Sequence, residues 1–181
     1  FPRQLTLGPL RQTLDSARTS GQTAGYGDKF NGIEFIGNDY FALVDKVWKN
    51  TAGTLSEVLD IGAFAISKLH TFAAGGTERI YAGGNGRFYH SATGAAASWT
   101  QSDAGINGYW FLNFDGNLLK SGAATGAAYP AVISSSTTGT GLAADYTTIV
   151  TLGPIAGGQA VVGGMVVFRN AAGDLAPYFI V

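Results

Sequence analysis

Short apolar runs, broken by glycine, asparagine, aspartate and serine, fill most of this chain and read as strands joined by tight turns. Residues 40–44, 79–82, 109–114 and 159–162 are such runs. They lead into turn formers at Asp45-Lys46, Gly84-Asn85-Gly86, Asp115-Gly116 and Gly163-Gly164. A second apolar run follows each turn, so the pattern predicts a series of hairpins. A further strand precedes the hairpin at residues 33–36, 64–72 and 147–152. Tyr109 follows Trp99 by only ten positions, which leaves the third hairpin little room for one.

The strands that follow these turns share a motif. Val47-Trp48-Lys49-Asn50-Thr51-Ala52-Gly53 aligns with Phe88-Tyr89-His90-Ser91-Ala92-Thr93-Gly94, with Leu118-Leu119-Lys120-Ser121-Gly122-Ala123-Ala124 and with Val167-Phe168-Arg169-Asn170-Ala171-Ala172-Gly173. Two large apolar residues precede a basic residue or His, then Asn or Ser, then a small-residue turn. A large apolar residue stands eight after each anchor: Val58, Trp99, Tyr129 and Tyr178. Asn or Ser bonds its own nearby backbone in such turns, and Gly supplies the positive φ. The anchors lie 41, 30 and 49 residues apart, from Asn50 to Ser91 to Ser121 to Asn170, a mean of 40. That period suits one four-stranded sheet per unit. Pro130 and Pro177 fall in the last strand of the third and fourth units, where an outer edge strand tolerates proline.

Ser91-Ala92-Thr93-Gly94 through Ser98-Trp99-Thr100 resembles the Asp-box turn of sialidase-like (BNR-type) β-propellers, a pattern Ser-x-Asp-x-Gly-x-x-Trp. Thr93 stands at the aspartate position, Gly and Trp are each displaced by one, and no copy keeps the aspartate. The resemblance covers roughly residues 30–181 and is shared with repeats in phage virion and secreted adhesive proteins. It implies an all-β fold, a β-propeller-like array of about four small antiparallel sheets, in units near 31–60, 61–101, 102–133 and 134–181. Residues 1–30 do not join the pattern and form a short N-terminal arm or linker, in which residues 9–15 could begin a helix.

Composition narrows the function. The 181 residues are 46% hydrophobic and 13% charged with 27 Gly, which excludes both disorder and a helical bundle. A net charge of −1 argues against nucleic acid as a partner, because such binding relies on neutralised phosphates. No stretch reaches membrane-span length: residues 160–181 are broken by Gly163-Gly164, Arg169 and Asp174. With no cysteine, disulfide scaffolds and thiolate metal sites are excluded.

Candidate chemistry is sparse. Sialidases need an arginine cluster, and three of the six arginines here (Arg3, Arg11, Arg18) lie in the arm. Asp45 and Asp115 occupy matching hairpin turns of the first and third units and could face one mouth, although turn chemistry alone explains aspartate there. With Asn85 of the second hairpin turn, and with Trp110, whose neighbours put aromatics on both strand faces, they are the candidate ligand-binding side chains. His90 shares its motif position with Lys49, Lys120 and Arg169 and reads as one of a solvated set; His70 lies in an alternating strand. No catalytic residue, metal site or cofactor is expected. The expected function is a non-enzymatic structural or adhesive protein of an extracellular assembly, most simply a phage or virion surface or tail component. It would meet other subunits through the arm and the end blades. The alternative is a carbohydrate-binding β-propeller lectin that takes cell-surface glycans at several weak sites.

Overall fold

Turn-forming residues, not strand propensity, set the layout. In the computed structural model, residues 30–62, 66, 68–84, 87–104, 106–123, 130–152 and 164–180 are described. The chain is all-β, with four small antiparallel sheets and a single 3₁₀ turn, Ala143–Asp145, among the described residues.

Sheet I is a meander of β1 (Phe30–Phe35), β2 (Asp39–Leu43), β3 (Lys46–Thr51) and β4 (Thr54–Asp60). Sheet II follows with β5 (Lys68–Ala74), β6 (Thr77–Gly84), β7 (Arg87–Ser91) and β8 (Thr100–Gln101). Sheet III takes β9 (Phe111–Phe114), β10 (Asn117–Ala123), β11 (Pro130–Ser136) and β12 (Thr147–Thr151) in the same meander order. Sheet IV pairs β13 (Gly164–Arg169) with β14 (Leu175–Ile180). The β9–β10 hairpin closes through Asp115 (φ 48°) and Gly116 (φ 71°), the doubly left-handed turn that an Asp-Gly pair favours. The β2–β3 turn falls on Val44-Asp45, one residue earlier than the sequence suggests, with Val44 at φ 55°. The amides of Ile61 and Ile66 donate to the Asp45 and Val44 carbonyls, so the connection to sheet II braces this strained turn.

Successive sheets stack face to face. Tyr40, Ala42, Val47 and Val58 of sheet I meet Leu69, Ile80 and Ala82 of sheet II in one core. Phe72, Tyr81 and Phe88 on the opposite face of sheet II meet Phe111 and Leu118 of sheet III in a second. Strand β6 shows the period-two logic: Ile80 and Ala82 point to the first core, Tyr81 to the second. Strands β1, β5 and β9 lie side by side at one edge of this stack.

The repeat has a different third member from the one the spacing predicts. Ser121 is no turn anchor; it lies inside β10, where its carbonyl and amide pair with Tyr109 and Trp110. The third turn is Ser136-Thr137-Thr138-Gly139, after β11. There the Ser136 hydroxyl oxygen accepts from the Thr138 and Gly139 amides at 3.2 and 2.9 Å. Ser91 accepts from Thr93 and Gly94 at 3.2 and 2.7 Å in the same way, and the Asn50 side chain from Gly53 at 2.9 Å. Gly stands three after the anchor in all four copies: Gly53, Gly94, Gly139 and Gly173. The anchors are therefore 41, 45 and 34 residues apart, from Asn50 to Ser91 to Ser136 to Asn170. Residues 147–151, expected to open the fourth unit, pair with β11 as the outer strand of sheet III. Pro130 accordingly begins an interior strand, tolerated because β12 pairs only from Val132 onward, whereas Pro177 lies in β14 at the edge of the described sheet. Tyr129 and the run 159–162 lie outside the described residues.

The shared turn has a function in packing. The Tyr40 hydroxyl of sheet I donates to the Thr93 carbonyl of sheet II at 3.1 Å, and the Tyr81 hydroxyl of sheet II to the Gly139 carbonyl of sheet III at 2.7 Å. Gly94 and Gly139 sit beneath these rings at φ 62° and 64°, and a Cβ on either would overlap the tyrosine hydroxyl. Gly53 is also left-handed (φ 89°), but among the described residues nothing lies within 4 Å of a Cβ built on it. Replacing each by Ala separates backbone strain from the clash. Gly53→Ala is expected to cost about 1 kcal/mol and Gly94→Ala or Gly139→Ala at least ~3 kcal/mol. Urea titration measures all three, and equal losses would show that the tyrosines do not fill these turns.

Candidate functional site

Three inner strands bring together polar side chains that the linear sequence scatters. Glu34 of β1, His70 and Thr71 of β5, and Asn113 of β9 form one network. The Asn113 amide donates to the Thr71 carbonyl at 2.8 Å, which turns its oxygen toward His70 Nε2, also 2.8 Å away. His70 therefore carries its proton on Nε2 and presents Nδ1 to the Glu34 carboxylate, 3.9 Å distant. Thr71 donates to the other Glu34 oxygen at 3.3 Å. The His70 ring lies parallel to Phe111, with centroids 6.2 Å apart. Burial holds the Glu34 carboxyl above its ordinary range, and burial likewise holds the His70 imidazole below its own.

Beside Asn113 an open cleft of about 510 Å³ separates the β9–β10 turn from sheet IV. Phe114, Val167 and Leu175 make apolar walls, and Asn113 and Asp115 bring the polar groups. Its volume falls in the range of small-ligand sites. Since the Asn113 amide is committed to Thr71 and His70, Asp115 supplies the carboxylate at the rim. Apolar walls with one carboxylate suit a ligand that has a CH face and adjacent hydroxyls.

Of the side chains singled out in the sequence, only Asp115 joins this cleft. Asp45 lies in the β2–β3 turn. Strands β1, β5 and β9 run in the same direction: Gly32 lies by Leu69 and Glu34 by Thr71, while Gly83, paired with Lys68, lies by Tyr109 and Thr71 by Asn113. The β9–β10 turn is thus at the opposite end of the stack from the β2–β3 turn, and the two aspartates do not share a mouth. Trp110 is half-buried, its amide donating to the Ser121 hydroxyl at 3.1 Å, and it does not line the cleft. Asn85 lies outside the described residues. Among the described residues no group of three or more His, Asp or Glu side chains could hold a metal, and no helix is long and apolar enough to cross a membrane.

The motif position before each anchor is not a solvated set. Arg169 is exposed and donates to the Gly173 carbonyl. His90 is half-buried against Tyr81 and Phe88, and its Nε2 has no hydrogen-bond partner among the described residues. Lys120, displaced into an interior strand, is only 4% exposed. Its ammonium donates to the Asn107 carbonyl at 2.7 Å and lies 4.7 Å from the centre of the Tyr146 ring.

No protein-family model matches the chain, and no curated protein matches it. Among solved structures the chain is similar to the computationally designed Ika4 protein, at 14% identity over 88% of this chain and 99% of that one, with a TM-score of 0.49. It is also similar to the computationally designed Ika8 protein, at 13% identity over 88% of this chain and 48% of that one, with a TM-score of 0.48.

Burial pushes the Lys120 ammonium down to about 8. The unfolded value is higher, near 10.4, so the cost of burying the charge is complete below the folded value and is relieved as pH rises through it. Wild-type protein is expected to gain on the order of 2 kcal/mol of stability relative to Lys120→Met between about pH 8 and about pH 10. Denaturant titrations of both proteins at the two ends of that window check this. A stability difference that does not change with pH would mean that Lys120 is solvated.

Proposed function

We propose that this chain is a non-enzymatic structural or adhesive component of an extracellular assembly, of the kind found at a phage or virion surface or tail, with its sheets arranged as the blades of a β-propeller-like array. The observation that carries the reading is the surface of sheet IV. Phe168, Tyr178 and Ile180 are 59, 43 and 61% exposed on one face of its two strands. The Phe168 and Tyr178 rings meet edge to face at the surface, with centroids 5.9 Å apart. Clustered apolar side chains on a small sheet favour association with another protein surface. Sheet I adds Ile33 and Phe35, 55 and 63% exposed, at the other end of the stack. End sheets as the points of attachment agree with the partners that the repeat pattern suggests.

The cleft between the β9–β10 turn and sheet IV favours one further reading, a carbohydrate-binding lectin. A sugar ring would lay its CH face on Phe114 or Leu175 and direct two hydroxyls to Asp115.

Two measurements separate these readings. Phe168→Ser combined with Tyr178→Ser is expected to leave the unfolding midpoint within a few degrees of wild type, because both side chains are exposed, and to abolish concentration-dependent association in light scattering. Association unchanged by this pair would count against the assembly reading. On a glycan array, robust sugar-competed binding that Asp115→Asn removes would favour the lectin, and turnover of a glycoside would overturn both.

A further inference from the structure

Both histidines of the chain stand in one row. His70 of β5 pairs with Tyr81 of β6, and Tyr81 pairs with His90 of β7. The three rings therefore line up across sheet II, on the face turned to sheet III. The middle ring is the one whose hydroxyl holds the Gly139 carbonyl, so the histidines flank the joint between these sheets.

They differ in what a second proton would meet. His70 Nδ1 faces the Glu34 carboxylate of sheet I at 3.9 Å, with Lys68 beside it on β5, so a charged His70 has an ion-pair partner. His90 has no such partner among the described residues. Its Nε2 is buried without a hydrogen bond and abuts a segment of sheet III, 3.2 Å from a Cβ built on Gly141. Around it stand Arg79 and Tyr81 of β6, Asp103 after β8, and Asp145 and Tyr146 between β11 and β12. Phe88 contacts both the His90 and Tyr146 rings, and the Lys120 ammonium of β10 lies over Tyr146. The Asp103 carboxylate accepts from the Ala143 amide at 3.0 Å, and one buried Asp145 oxygen has no partner among the described residues. Burial, with the Arg79 charge added, holds the His90 imidazole below its ordinary range.

We infer that His90 is an acid-sensitive latch on the joint between sheets II and III: a proton on this ring expels it from the interface, displaces the Gly139–Gly141 segment that it abuts, and breaks the Tyr81 hydrogen bond to Gly139. A buried imidazolium whose Nε2–H meets no acceptor carries the full cost of desolvation. Gly141 stands two residues from the carbonyl that Tyr81 holds, so the strain falls on that contact. The β7 backbone keeps its ladder, because only the side chain has to leave. Burial opposes a charge on His70 too, but Glu34 is in place to accept its Nδ1–H. In the unfolded chain His90 takes up its proton near about pH 6.5, and in the folded chain only below that. The joint is therefore at full strength above about pH 6.5 and weakens as pH falls through it.

Amide-exchange protection factors, which remove the intrinsic pH dependence of exchange, read each sheet separately. Between about pH 7.5 and about pH 5, protection at the Gly139 amide and along β11 is expected to fall at least about tenfold, while β2 and β3 of sheet I keep theirs. His90→Phe keeps a ring at this position without a titrating nitrogen, and it is expected to hold Gly139 protection at both pH values. His70→Gln is expected to respond as wild type does. Equal loss in wild type and His90→Phe, loss abolished by His70→Gln instead, or no loss in wild type would each overturn the inference. The wild-type imidazole resonances supply a measurement that needs no variant. His90 is expected to titrate in step with the loss of protection at Gly139, and titration of His90 with Gly139 still protected also contradicts the latch.

Discussion

The hydrogen bond from a buried tyrosine to the carbonyl of a left-handed glycine turn is the contact on which the stacking of these sheets depends. Apolar faces alone would let neighbouring sheets slide or rotate, because hydrophobic burial is non-directional. A hydroxyl that must find one carbonyl fixes both the distance and the angle between sheets. It also explains why the turn sequence is constrained: Ser91 and Ser136 tie the loop to itself, and Gly94 and Gly139 leave room for the ring. Burial lifts the Tyr81 phenol to about 12, so this donor keeps its proton across the physiological range.

Along the inner edge of the stack the linkage is polar. Glu34, His70, Thr71 and Asn113 join β1, β5 and β9 through side-chain hydrogen bonds where these strands belong to different sheets and share no backbone ladder. The result is two kinds of joint between sheets, one at the turns and one at the inner strands. Among the described residues sheet IV borders the rest at β9 and the cleft, and its aromatic side is exposed. The most distinctive surface of the molecule therefore lies where the internal joints run out.

Much of the secondary structure was legible because hairpin turns announce themselves. Asp115-Gly116 and the run at residues 79–82 fall where pattern alone puts them, and the run at 40–44 is off by one residue. The phase of the third repeat was not legible. Leu118-Leu119-Lys120-Ser121 matches the motif in residue type, and only pairing across β11 shows Ser136 to be the anchor. Ser136-Thr137-Thr138-Gly139 matches Ser91-Ala92-Thr93-Gly94 better at Thr and Gly, and that closer match was the signal available. The inner network was hidden for a different reason: Glu34, His70 and Asn113 are each a lone polar residue in an apolar run, and their meeting depends on three sheets. Of the candidate ligand residues, Asp115 reached a cleft because the β9–β10 turn borders sheet IV, while Asp45 was carried to the far end by the meander. Exposure of Phe168 and Tyr178 was unreadable too, since aromatic residues at motif positions ordinarily pack inward.

Amide hydrogen exchange in Tyr81→Phe tests the central claim most directly. Loss of one hydroxyl leaves the ring and its packing in place, so only the joint between sheets II and III is removed. Faster exchange at the Thr138 and Gly139 amides and along β11, with the Asn50–Gly53 turn unchanged, is the predicted result. Exchange that rises uniformly over all sheets, or not at all at Gly139, would contradict a structure held in register by the tyrosine–turn contact.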